Sequence, residues 1–299
     1  MIRNTYFPSL LAVLCASAAY AQTQRTFVSA HGGSDSNVCS VVQPCRSFGA
    51  AMALTLAGGE IIVLDSGGYG VVTIDKSISI TSPAGVYAGV TAFSGNAITI
   101  NTASLTVALE GLTVNALGGV TGISQTTGGT LYVKRCLITG FSSGGLAVNG
   151  PDPVQLFVAE TDIRNNSVAG MFLNCGSGAN RIRVSLDHVR LENNSGDGIQ
   201  MDNQTLLSAY ECVFAANSGY GVFAYGPDSQ ANLESCLIAN NATGVGVAYS
   251  TMRISNCTIT HNTVKGIEDP PGNGSVLSRM NNTVEGNGAD DTPGTYTGK

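Results

Sequence analysis

One spaced pattern constrains this chain more than any other feature. From residue 114 onward an apolar side chain returns every 21 to 28 positions, at Val114, Ile138, Ile163, Leu191, Phe214, Ile238, Ile259 and Val284. Three residues after six of these stands an asparagine: Asn166, Asn194, Asn217, Asn241, Asn262 and Asn287. Seven residues after five of them stands a glycine: Gly145, Gly170, Gly198, Gly221 and Gly266. The unit of Ile238 is one residue short and has Gly244 instead. A fixed period in this range is the mark of a stacked-repeat architecture.

Alternation inside each unit says what is stacked. Side chains two apart in a strand share a face. Cys136, Val189, Cys212, Cys236 and Cys257 therefore point the same way as the periodic apolar positions. After the glycine, Leu146, Met171, Ile199, Val222, Val245 and Ile267 begin a second apolar set. Leu131/Val133, Leu156/Val158, Val184/Leu186 and Met252/Ile254 form a third. Three short strands per unit, each with one apolar face, bury that face only by stacking on the next unit. The connection between parallel strands is right-handed almost without exception. The expectation is an all-β, single-stranded, right-handed parallel β-helix, with three strands per coil and a repeat of about 24 residues.

The asparagines read as a structural ladder, each amide bonding its own turn and the Asn one coil away. Asn also tolerates the left-handed geometry of a turn. An array of surface turn residues is the plainer alternative. Residues before 110 repeat less cleanly, but Ile61–Leu64, Val71–Ile74, Ile78–Ile80 and Ile98–Ile100 read as short strands between Gly-rich turns. Arg46–Ala57 carries Phe48, Met52 and Leu56 at helical spacing and stops at Gly58-Gly59. A short helix there would cap the open end of the stack, which otherwise exposes a sheet edge.

Residues 1–21 have the make-up of a secretory leader: Arg3, an apolar run at Leu10–Leu14 and a small-x-small site at Ala19–Ala21. The run is too short to span a bilayer. The expected organisation is leader 1–21, N-terminal segment with its capping helix 22–59, β-helix 60–287 and polar tail 288–299. The protein is expected to be secreted or periplasmic. In that setting Cys39 and Cys45, in a polar loop, are candidates for a disulfide. The inward column Cys212, Cys236 and Cys257 reads as buried free thiols, with disulfides between adjacent coils as the alternative. The formal net charge is −6, and loss of the leader removes one further base. An acidic chain without a basic stripe disfavours nucleic acid as partner, and no later segment resembles a membrane span.

The stretch from Phe27 to Ile80 (FVSAHGGSDSNVC…QPCRSF…GGEIIVLDSGGYGVVTI…SISI) resembles the N-terminal cap and first coils of secreted pectate-lyase-like β-helix proteins. The later C-x-I-x-x-N-x-x-x-G-I/V units resemble the parallel β-helix repeats of that superfamily. The resemblance implies a fold but not one activity, because the superfamily includes lyases, hydrolases, epimerases and proteins without known catalysis. A paired-Asp hydrolase signature with its Gly-His-Gly companion is missing, and so is the Asp-Pro-His triplet of uronate epimerases.

One charged constellation stands out. By alternation Asp187 points outward, His188 occupies a bend and Arg190 points outward on the next strand; these are the candidate catalytic residues. Arg164, Arg181 and Arg183 are candidates for holding a substrate carboxylate, while Asp187 or His188 abstracts a sugar proton. The competing reading makes these charges cross-strand ion pairs, Asp162 with Arg190 and Arg164 with Glu192. Outward Phe172 and Phe223, near Tyr220 and Tyr225, are candidates for sugar stacking. No cofactor is required; calcium is an optional ion, through the oxygens of Asp197, Asp202 and neighbouring asparagines. Three functions follow. The favoured one is an exported β-helix that binds polysaccharide or a cell-surface glycan through its outer face. The second is a lyase or epimerase of uronate-containing glycans, and the third a non-catalytic adhesion or scaffold protein.

Overall fold

The computed structural model describes residues 22–176 and 180–297. The leader 1–21 lies outside the described residues. The remainder winds into a right-handed parallel β-helix. Among the described residues its strands form three parallel sheets of twelve, ten and nine strands. One coil gives the plan. Ile182–Asp187 joins the twelve-stranded sheet, Arg190–Glu192 the ten-stranded sheet and Asp197–Asp202 the nine-stranded sheet. Each pairs in parallel with its equivalents one coil before and one coil after.

The register follows the sequence period. Val114, Ile138, Ile163, Leu191, Phe214, Ile238, Ile259 and Val284 are consecutive partners up one column of the ten-stranded sheet. Leu146, Met171, Ile199, Val222, Val245 and Ile267 form the matching column of the nine-stranded sheet. Both columns point into one continuous apolar core. Cys136, Cys212, Cys236 and Cys257 are buried free thiols, their Sγ–H groups donating to backbone carbonyls. Burial pushes the Cys136 thiol up to about 11.

At the turn between the ten- and nine-stranded sheets the asparagines stack inside the molecule. The side-chain oxygen of each accepts from the backbone N–H and the side-chain amide of the Asn one coil earlier. This runs from Asn166 through Asn194, Asn217, Asn241 and Asn262 to Asn287, at 2.9 to 3.1 Å. The second amide hydrogen goes to the carbonyl of the periodic apolar residue one coil back, as in Asn241 to Phe214 at 2.9 Å. The array of surface turn residues is therefore not what forms. The left-handed backbone geometry also falls elsewhere than expected. It belongs to the residue before each ladder Asn: Asn165, Asn193, Ala216, Asn240, His261 and Gly286. The repeat glycines serve close approach. A Cβ on Gly198 would stand 2.5 Å from the Gly221 carbonyl oxygen and 2.9 Å from the Asn217 amide nitrogen.

The N-terminal cap differs from its expectation in extent. The helix runs only from Phe48 to Leu54, with Ser47 as N-cap and Phe48, Ala51 and Met52 buried. Thr55 is already extended, and the strand Thr55–Val63 passes straight through Gly58-Gly59. Gly58 takes a φ of +76°, and the partner strand Thr23–Val28 shifts register there. The glycine pair thus marks an irregularity inside a strand rather than a helix stop, and Leu56 points outward. Cys39 and Cys45 form a disulfide beside the helix. In the tail, Gly294–Thr295 adds a last short strand to the twelve-stranded sheet.

Candidate functional site

A three-sheet coil has three outer faces, and the candidate residues divide among them. Arg183 and Asp187 stand on the twelve-stranded face. Arg164 and Arg190 stand on the ten-stranded face, and Phe172 and Phe223 on the nine-stranded face. His188 sits at the bend between the first two, in left-handed geometry with φ +52°. Arg181, just before its strand, reaches the Asp228 carbonyl at 3.3 Å. The fold does not gather these residues into one site.

His188 is held at both ends. Its Nδ1 lies 2.7 Å from Asp187 Oδ1 and its Nε2 2.6 Å from Glu211 Oε2. The Asp187 hydrogen bond raises the imidazole above its usual range. With a carboxylate at each nitrogen, the ring has no nitrogen left free to meet a substrate proton. Arg190 lies opposite Asp162 in register. It turns instead along its own strand and grips Glu192 at 2.6 and 3.2 Å. Glu192 in turn lies opposite Arg164.

An extended shallow concavity runs along the outside of the twelve-stranded sheet. Alternation aims Thr130/Tyr132/Lys134, Gln155/Phe157, Arg183/Ser185/Asp187, Leu206/Ser208/Tyr210 and Gln230/Asn232/Glu234 outward, and the ladder brings them side by side. Three shallow depressions of about 320, 310 and 590 Å³ follow one another there. The first two share Gln155 and Arg183, and the last two share Ser185 and Ser208. Phe157 lines the second depression and its ring stacks on Tyr132 at 4.9 Å and 10° between ring planes, both rings exposed. Arg183 is exposed and makes no hydrogen bond or ion pair with the described residues. Asp187, Tyr210 and Glu234 line the widest depression, with the carboxylate oxygens of Glu211 near enough to hold the Tyr210 hydroxyl above its ordinary pKa. Tyr132 and Phe157 were missed as candidates, although the alternation that placed Leu131/Val133 and Leu156/Val158 inward already aimed both rings outward.

The two carboxylates suggested for calcium each have a partner within the protein. Asp197 accepts the Tyr220 backbone N–H at 2.7 Å and Asp202 the Gln200 amide at 3.0 Å. Burial raises both carboxyls. Among the described residues no group of three His, Cys, Asp or Glu side chains is arranged to hold a metal.

Solved structures share this architecture at low identity. A pectate lyase, Pel9A, superimposes with a TM-score of 0.58 at 15% identity, over 93% of this chain and 78% of that one. XylC in complex with xylose gives 0.64 at 8% identity, over 86% and 69%. The periplasmic alginate epimerase AlgG gives 0.52 at 14%, over 79% and 61%. The full-length tailspike protein 2 of an Escherichia coli O157:H7 bacteriophage gives 0.57 at 13%; this chain spans about a third of its length. At these identities the likeness is one of fold. Among curated proteins none matches this chain. The model of the family described as right handed beta helix region matches residues 121–289, more than half of the sequence. The period, the three parallel sheets and this match together establish that the chain belongs to the right-handed β-helix region family.

Proposed function

We propose that the protein is exported and binds an acidic polysaccharide along the outer face of its twelve-stranded sheet. The observation that carries this reading is a furrow, the run of adjoining shallow depressions in which Arg183, without a partner among the described residues, is shared by two and exposed Phe157 stacks on Tyr132 beside it. Aromatic faces receive the apolar face of a sugar ring. A guanidinium free of partners among the described residues is set to take a carboxylate through two parallel hydrogen bonds. Ser185 and Ser208 offer hydroxyls between them. The structural neighbours named as a pectate lyase and an alginate epimerase give the reading a precedent on the same fold.

Recognition is favoured over chemistry with His188 as the base by one observation: both nitrogens of His188 are occupied, by Asp187 and Glu211. No helix among the described residues is long and apolar enough to cross a membrane. The test titrates the mature protein with polygalacturonate and alginate, with and without calcium, and follows heat and unsaturated or epimerised product together. Arg183→Ala is expected to weaken binding about tenfold or more, the scale of a lost charge-assisted pair, and Tyr132→Ala with Phe157→Ala by about tenfold. Turnover abolished by Asp187→Ala would replace the recognition reading with an enzyme. Neither binding nor turnover would leave a scaffold.

A further inference from the structure

The nine-stranded face carries its own aromatic surface, far in character from the furrow. Tyr220, Phe223 and Tyr225 come from a single strand, Tyr220–Tyr225, and Tyr249 from the turn one coil later. Their rings follow one another: Tyr220 on Phe223 at 4.5 Å and 21°, Phe223 to Tyr225 at 6.3 Å, Tyr225 to Tyr249 at 6.3 Å and nearly perpendicular. The chain of rings is seated by a glycine. Gly246 lies opposite Phe223, and a Cβ there would stand 2.5 Å from the Tyr220 ring. The Tyr220 hydroxyl is tied to Glu268 at 2.6 Å, which fixes that ring from its far end. Tyr225 and Tyr249 are 43% and 58% exposed, large values for aromatic rings beside a formed core.

The polar groups beside the rings lack the exposed arginine of the furrow, Arg183. Gln200 and Asp202 lie opposite Phe223 and Tyr225 in the ladder. From Ala147 and Asn149 to Glu268, the two outward columns of this face hold no Arg or Lys. The cations at its margins are engaged: Lys265 with Asp291 at 2.9 Å and Arg181 with Asp228 at 4.0 Å. Rings rimmed by amide and carboxylate acceptors, without a free cation, fit a ligand rich in hydroxyls and C–H faces and repel one that carries carboxylates. We infer that Tyr225, Tyr249 and Phe223 form a second binding platform, one for an uncharged glycan chain, separate from the furrow and opposite to it in charge preference. The two faces would let one molecule hold an acidic and a neutral polysaccharide at once.

The inference stands independently of the furrow and is tested separately. Cellohexaose, xylohexaose and mannohexaose are titrated calorimetrically into the full chain, into Tyr225→Ala/Tyr249→Ala and into Arg183→Ala, with far-UV circular dichroism melts on each. The expected result is binding of at least one hexaose, weakened about tenfold or more by the tyrosine double variant and unchanged by Arg183→Ala. If the double variant melts early, Tyr249→Ala alone, at a turn, is read in its place. Three outcomes overturn the inference: no hexaose binds; binding survives loss of the tyrosines; or Arg183→Ala removes it, which would merge both ligands into one site. Sedimentation supplies a fourth: a dimer that Tyr249→Ala dissolves would make the platform a contact between copies of this chain.

Discussion

At the scale of single residues, the side chain that most determines what the charged bend can do is His188. Its imidazole is raised above 6.5, first by the Asp187 hydrogen bond and then by the fields of Asp187, Glu211 and Glu160. A base whose folded pKa is raised contributes stability that is fully present below its unfolded pKa and is lost as pH rises through the folded one. Thermal midpoints are therefore expected to fall as pH climbs from 6.5 through the folded pKa, and to do so less in His188→Gln. An NMR titration of the ring should show its midpoint above 6.5 and moving down in Asp187→Asn; a midpoint unchanged by that substitution would sink the clamp. Much of the residue-scale pattern was legible beforehand, because the ladder asparagines and repeat glycines recur at fixed offsets. What was not legible is which Asn of the pairs Asn165-Asn166, Asn193-Asn194 and Asn240-Asn241 bends the backbone and which faces inward. Both roles suit the same side chain, and only the hydrogen bonds of the next coil separate them.

At the scale of elements, the turn with the ladder is a place where neighbouring coils approach closely. The repeat glycines are there because the next Asn amide occupies the space a methyl group would need. Gly198→Ala is expected to cost about 1–3 kcal/mol, the usual price of forcing a methyl into a packed interior. The control is Gly68→Ala, where a Cβ meets nothing within 4 Å; a comparable loss at both, read from urea midpoints, would contradict the packing argument. Strand alternation was read correctly along most of the chain, and the periodic columns pair as spaced. The helix was drawn too long because Leu56 continues the helical spacing of Phe48 and Met52. The strand Thr23–Val28 offers Thr55–Val63 a row of backbone partners, and that pairing outweighs one more helical turn.

At the scale of the molecule, assembling a site depends on which face each strand presents, and that depends on turn lengths that alternation alone does not encode. Arg183 and Arg164, read together as holders of one substrate carboxylate, stand on different sheets. Tyr132 and Phe157 lie between the inward pairs Leu131/Val133 and Leu156/Val158, so the column they share with Ser185 was open to the same alternation. The ends of the stack are also managed. The helix Phe48–Leu54 packs over the first coils, and the carboxylates of Asp290 and Asp291 take up the edge N–H groups of Ile267 and Asp269. A sheet edge whose donors are already satisfied is a poor template for another chain.

The strict neighbour-to-neighbour pairing of the coils has a mechanical consequence. Among the described residues each strand pairs only with the strands directly before and after it in its sheet, so a load applied to the two ends meets no strand pairing that ties distant coils together. The molecule should peel like a spring unwound from its tips, each event releasing about 80 Å of contour for a repeat of about 24 residues. Single-molecule pulling is expected to give a train of small, evenly spaced steps. One abrupt rupture of the whole length would mean that tension is shared well beyond adjacent coils.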